Sequence, residues 1–254
     1  MKEIPNSQSI RSRLKVSQSS PLRAYKNLTV GESTSTIYLI LYEFLTFLLG
    51  PLPGGLGFYL RKKLYPLLFK KVGQGLIIGR NVVLRHPANI ILGDNVTIDD
   101  NCLIDARGAG NEGVILEDQV IINRNCVIQA KAGPIRLGRR TSIGSNSVII
   151  SMDGVEVGEA VLFAGGCCIS AGSYHFDETS EPIMDQGCFT KGPIRVGSNS
   201  WLGTNVTILD GVTIGTGSVI GAGAIVNKNI ADYAIAVGIP ARVIKNRRIS
   251  VPSS

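Results

Sequence analysis

The chain has 254 residues, 44% of them apolar, enough for one well-buried domain with an appendage. Its five cysteines lack a CxxC pair, which argues against a disulfide framework or a cysteine zinc cluster, and the opening is too polar and basic for a signal peptide; together these predict a reducing, cytoplasmic setting. The net charge of +7 is N-terminal, with eleven Lys and Arg in residues 1–71 against Glu3, Glu32 and Glu43, while the remaining 15 cations face 16 acids; coupled to apolar sequence and without a recognition motif, this points to a membrane surface rather than nucleic acid.

In chain order, residues 1–35 are rich in Ser, Lys and Arg without an apolar period and predict a mobile basic arm. Residues 36–71 form an apolar and basic appendage. Its run TIYLILYEFLTFLL (36–49) is broken only by Glu43 and closed by Gly50, Pro51 and Pro53. That run is shorter than the roughly 20 residues a spanning helix needs. A second apolar stretch at Phe58–Leu60 leads into Arg61, Lys62, Lys63, Lys70 and Lys71. Two readings stay open: an interfacial element in peripheral contact with a membrane, and a helical cap on whatever solenoid follows.

From residue 72 to 230 an aliphatic residue recurs every six positions, in seven triples: Val72, Ile78, Leu84; Leu92, Ile98, Ile104; Leu116, Ile122, Ile128; Leu137, Ile143, Ile149; Val157, Phe163, Ile169; Val196, Leu202, Ile208; Ile214, Ile220, Val226. Irregular steps occur only between triples. A triangular coil with three six-residue sides explains this, since insertions then leave from one corner while the aliphatic residues stack into a continuous interior column. At roughly 25 cal/mol per Å² that column supplies the main stabilisation. The fifth hexad position is small or β-branched in most repeats, so Cys102, Cys126 and Cys167 read as core fillers; Cys168 and Cys188 have no assigned role. The predicted fold is all-β, a parallel β-helix prism of about seven coils, with a partly helical N-terminal appendage and a short C-terminal tail at 231–254. The largest step, 27 residues from Ile169 to Val196, marks a protruding loop over 170–193 that contains His175.

The stretch PIRVGSNSWLGTNVTILDGVTIGTGSVIGAGAIVNKNI from Pro193, followed by AVGIPARVIK ending at Lys245, resembles the hexapeptide-repeat acyltransferases, the family of galactoside, maltose, serine and polysaccharide O-acetyltransferases. The likeness covers residues 72–245. It implies a left-handed prism, a homotrimer, and an acyl donor, acetyl-CoA, lying in a groove between neighbouring prisms where a loop histidine meets the acceptor. His175 takes that role, because a hydroxyl attacking a thioester needs a base that changes protonation near neutral pH. Phe176 stands where the family usually has proline, which points to the polysaccharide branch. Asp177 either orients the imidazole or the sugar, or is a solvated loop acid. Asn146 matches an acceptor-contacting asparagine of galactoside-type members, but a corner asparagine is also ordinary turn chemistry; Asp153 is a further acceptor-side candidate. Carried over residue by residue, the donor side comprises Thr204, Ala222, Asn227, Lys228, Arg242 and Lys245. Trp201 either flanks the groove or shields the subunit contact.

The expected function is O-acylation of a saccharide or lipid-linked sugar in surface polysaccharide or glycan assembly, with no metal. An N-acetyltransferase of an amino nucleotide sugar and a catalytically silent scaffold are the alternatives. His86, the other of two histidines, reads as structural, and two histidines do not supply the three that a prism-shaped carbonic anhydrase needs for zinc. The identity of the acceptor is not legible in the residues.

Overall fold

The computed structural model describes residues 1–4 and 20–248. From Lys71 onward the chain winds through three sheets, each coil giving one strand of two to four residues to each face. The first face runs from Lys71–Val72 to Thr213–Ile214, the second starts at Ile77–Ile78, and the third runs from Val83–Arg85 to Ile225–Val226. Like hexad positions stack in parallel register: Ile78, Ile98, Ile122, Ile143, Phe163, Leu202 and Ile220 form one column. Each is at most 1% exposed. The predicted seven-coil β-helix is present.

The corners follow from side-chain size. At the fifth position Val96, Cys102, Val120, Cys126, Cys167 and Val206 are at most 2% exposed, so the three cysteines are core fillers as expected. The hydroxyls buried at this position are hydrogen-bonded, Thr141 Oγ1 donating to Gly158 O at 2.8 Å, Ser218 Oγ to Ala231 O at 2.9 Å, and Ser147 Oγ accepting from Cys167 N at 3.2 Å. At the fourth position between the second and third faces the chain turns through left-handed backbone, with φ from 56° to 61° at Asn81, Asn101, Asn125, Asn146 and Asn205. Asparagine tolerates that conformation best among residues with a side chain.

A solenoid must close its ends, because the terminal coil has no neighbour to satisfy its backbone. In the region read as a mobile arm, Lys2–Glu3 form strand β1 and Pro21–Thr29 form helix α1; residues 5–19 lie outside the described residues. Helix α1 has local causes, since the Ser20 hydroxyl accepts from Arg23 N and Pro21 opens the first turn. Thr29 O accepts from His86 N at 2.7 Å, and His86 Nε2 lies 2.6 Å from Asn27 O. His86 is structural, as expected, and burial lowers its pKa.

Helices α2 (Thr36–Leu49) and α3 (Gly54–Leu64) cover the first coil. Leu39, Tyr42, Leu45 and Leu49 form the buried face of α2. The first coil's open carbonyls are taken by buried side chains: Tyr42 Oη donates to Leu84 O at 2.8 Å, and Arg61 Nε to Ile78 O at 3.0 Å. Arg61 Nη1 also donates to Leu49 O and Leu52 O, both at 2.8 Å, locking the α2–α3 corner. The cap reading of residues 36–71 thus has a direct structural basis.

Farther along, the loop after the third-face strand Cys168–Ser170 is a hairpin of β2 (Ser173–Tyr174) and β3 (Cys188–Thr190), to which β1 adds as a third strand. Past Val226 the winding continues: Ile230 bridges to Ile214, and β4 (Ala234–Val237) stacks in parallel on Val219–Ile220. Strand β5 (Arg242–Asn246) then folds back antiparallel on β4 and closes that end.

One group in the N-terminal cap is unpaired. Tyr65 is fully buried, its hydroxyl has no hydrogen-bond partner among the described residues, and burial pushes its pKa up to about 12. Replacing a buried, unpartnered hydroxyl by hydrogen removes a desolvation cost. Tyr65→Phe is expected to raise stability by about 1 kcal/mol, or Tm by about 2–4 °C in thermal unfolding. A loss of stability would show that the hydroxyl has a partner in solution.

Candidate active site

The hairpin carrying His175 is braced from the prism. Thr190 Oγ1 donates to Asp210 Oδ1 at 2.9 Å, and Lys191 N donates to Asp210 Oδ2 at 2.5 Å, so the carboxylate of the next coil fixes the base of β3. Cys188, Phe189 and Thr190 are all buried. Gln186 pins the tip, its Nε2 donating to Glu178 O at 2.6 Å and Glu181 O at 2.9 Å. Phe176, Ile183 and Met184 stand exposed there.

His175 follows β2. Its backbone N donates to Gly187 O at 3.2 Å, and its ring lies 4.7 Å from the Phe189 ring at 39°. The imidazole is 31% exposed and its Nε2 sits 3.1 and 3.2 Å from the two carboxylate oxygens of Glu3. Asp177 is exposed and makes no hydrogen bond to the ring. Asp153 is held by Lys2, the neighbour of Glu3 on β1.

Asn146 ends an asparagine ladder. Asn81 Nδ2 donates to Asn101 Oδ1, Asn101 to Asn125 and Asn125 to Asn146, at 3.2, 3.3 and 3.2 Å. The next corner residue is Gly166, at φ 74°, where a Cβ would come within 2.1 Å of Asn205 Oδ1. The ladder therefore stops, and the Asn146 amide NH2 has no acceptor among the described residues. No hydrogen bond joins Asn146 to His175.

Next to this corner column, at the third hexad position, the residues change character along the prism. They are Arg80, Asp100 and Arg124 in the first three coils, then Ser145, Gly165, Thr204 and Ala222, with Gly238 after β4. Thr204 and Ala222 are exposed and adjacent, Gly223 N donating to Thr204 O at 2.8 Å. The edge of the upper coils is thus a smooth strip that a thin chain can approach closely. Arg242 and Lys245 lie on β5, paired with Val237 and Ile235 above the same face, and Lys228 and Asn227 follow the last third-face strand. All four side chains are exposed, and Trp201, 50% exposed, stands on the second face between Leu162 and Val219. Among the described residues no group of His, Cys, Asp and Glu is arranged to hold a metal ion.

Glu3 is the residue sequence reasoning missed. It lies 172 positions from His175, and the short Lys-Glu-Ile segment carries no pattern long enough to announce a strand.

Comparison with known proteins agrees with this geometry. Residues 193–228 match the bacterial transferase hexapeptide (six repeats) model, and residues 95–130 and 134–174 match the hexapeptide repeat of succinyl-transferase. A probable acetyltransferase of Mycobacterium tuberculosis, Rv3034c, is 42% identical over 125 residues, which cover 49% of this chain and 41% of that protein. The galactoside O-acetyltransferase of Escherichia coli is 37% identical over 111 residues, covering 44% of this chain and 53% of that one. The matches thus span about half or less of these relatives. Among solved structures, a mutant of AntD, an N-acyltransferase from Bacillus cereus in complex with dTDP and coenzyme A, has the same fold, with a TM-score of 0.51 at 21% identity over 74% of this chain and 89% of that one. Repeat, coil architecture and relatives agree on a hexapeptide-repeat β-helix that resembles those of known acetyltransferases.

Proposed function

We propose that the chain transfers an acyl group, acetyl in our reading, from coenzyme A to a sugar hydroxyl, with His175 as the general base. The observation that carries this is an imidazole held on a braced hairpin, in the half of the prism where the edge column turns small. Acetyl-CoA would supply the activated thioester carbonyl, and coenzyme A would leave as the thiol. Thr204 and Ala222 give its pantetheine chain close approach, while Lys228, Arg242 and Lys245, exposed cations at the end of the prism, meet its phosphates. His175 takes the proton of the attacking hydroxyl and returns it to the departing sulfur. Asn146, its amide NH2 unpartnered among the described residues, donates to the acceptor. Asp177 and Asp153 contribute at the rim, the first exposed and the second already engaged by Lys2.

A homotrimer completes the site in this reading. The upper coils of the first face carry charges outward, Arg195 lying 3.6 Å from Glu156, whereas the second face presents Ile77, Ile121, Leu162 and Trp201 and the third Val83. Exposed apolar side chains along the second face suit contact with a neighbouring prism.

The N-terminal cap supports a second element of the proposal, an acceptor at a membrane surface. No helix of the described residues is long and apolar enough to cross a membrane. Helix α2 is nevertheless apolar on both sides, exposing Ile37, Ile40, Phe44, Phe47 and Leu48 opposite its buried face. Its one acid, Glu43, accepts from the Tyr25 hydroxyl at 2.5 Å. Leu56 and Tyr59 of α3 continue the exposed apolar surface beside Lys62 and Lys63, with Lys70 and Lys71 following. Apolar side chains flanked by cations fit an anionic lipid surface.

His175→Ala is expected to lower thiol release from acetyl-CoA by at least about 10²-fold, measured with an acceptor chosen from monosaccharides, amino sugars, nucleotide sugars and lipid-linked sugars. Near-wild-type turnover would remove His175 from the chemistry, and no release with any acceptor would favour a scaffold. Arg242→Ala and Lys228→Ala should weaken coenzyme A binding in calorimetry, with a loss that shrinks at high salt; binding equal to wild type would take both out of the donor site. The full-length protein should sediment with anionic phosphatidylglycerol vesicles and less so in high salt, and the triple variant Ile40→Glu, Phe44→Glu, Phe47→Glu should stay in solution with its fold intact. Indifference of the wild type to vesicles, or a change of oligomeric state in the variant, would contradict the membrane assignment.

A further inference from the structure

We infer that Glu3, delivered by the N-terminal strand, is the positioning residue for His175 and fixes which ring nitrogen acts as the base. The inference rests on the reading of His175 as base and deepens it. A neutral imidazole has one N–H and one lone pair, and an ionised carboxylate only accepts. The nitrogen facing Glu3 must therefore carry the proton: Nε2–H donates to the carboxylate, at 3.1 and 3.2 Å from its two oxygens. Nδ1 has no hydrogen-bond partner among the described residues, so it keeps its lone pair for the acceptor hydroxyl.

The carboxylate is placed by structure on both sides of it. Strand β1 pairs antiparallel with β3, Lys2 opposite Thr190 and Glu3 opposite Phe189, and Ile4 N donates to Cys188 O at 3.0 Å. Ile4 is 7% exposed, and Lys2 is tied to Asp153 on the prism. Phe189, opposite Glu3, is also the residue whose ring packs on the imidazole. Strand pairing, a buried anchor and an ion pair thus converge on a carboxylate that is itself 72% exposed. An exposed pair of this kind adds little to stability. Its consequence is orientation, the part a carboxylate plays beside histidine in other acyl-transfer sites.

The competing reading is that Glu3 occupies the place of the acceptor hydroxyl and holds the site shut. The two readings predict opposite effects of removing it. The chain has only two histidines, and His86, whose Nε2 lies 2.6 Å from Asn27 O, serves as an internal reference for the Nε2–H tautomer. With ¹⁵N-ring-labelled histidine in the full-length protein above neutral pH, His175 should appear as the Nε2–H tautomer in the wild type. It should become a mixture in Glu3→Ala, with the His86 signals unmoved, and Glu3→Gln, which keeps an acceptor oxygen, should retain the wild-type pattern. With an acceptor in hand, Glu3→Ala should lower kcat by about tenfold or more, within the range a general base contributes, and leave KM for acetyl-CoA unchanged. An unchanged tautomer in Glu3→Ala, or a rise in kcat, would overturn the inference. The tautomer readout needs no turnover, so it stands apart from His175→Ala, whose failure would remove the base rather than its orientation.

Discussion

The strands of this prism are two to four residues long, and none could persist alone. Their backbone groups pair with the coils above and below, and their inward side chains stack on the same hexad position one coil away within one continuous core. This stacking constraint is what the rest of the molecule answers to. Interior residues must be aliphatic or small and corners must turn through left-handed backbone. Each end must be closed by something that is not another coil. At one end Tyr42 and Arg61 reach from helices to first-coil carbonyls, and at the other β5 reverses onto β4.

The same constraint decides where function can sit. Inward positions are committed to packing, so chemistry is left to outward positions, corners and insertions. The asparagine ladder illustrates this, since three corner amides are used up on one another until Gly166 interrupts the series and frees Asn146. The one long insertion becomes a small antiparallel sheet, braced by Asp210 and completed by a strand from the far N-terminus. A histidine on an unbraced loop would sample many orientations, whereas His175 has its backbone, its ring face and one ring nitrogen all engaged.

What the sequence reveals tracks how local the physics is. The six-residue period, the buried cysteines at the fifth position and the loop bearing His175 are all patterns within a few residues, and they are legible. Helix α1 is legible in principle, through Ser20 and Pro21, but the surrounding Ser, Lys and Arg suggest a mobile arm. The two roles offered for the 36–49 run do not exclude each other, because α2 buries one apolar face on the prism and exposes another. The contact between Glu3 and His175 is not legible. It spans 172 positions, and Asp177, close in sequence, is the natural candidate for that place yet makes no bond to the ring.

We propose that the strip of small residues and the cations at the end of the prism lead an acyl donor to His175. A crystal structure of the full-length protein with coenzyme A tests it most directly. The expected result is the pantetheine chain along Thr204 and Ala222, the phosphates on Lys228 and Arg242, and the sulfur beside the His175 ring at a site shared with a neighbouring prism. Coenzyme A bound elsewhere, with its sulfur remote from His175, would contradict it.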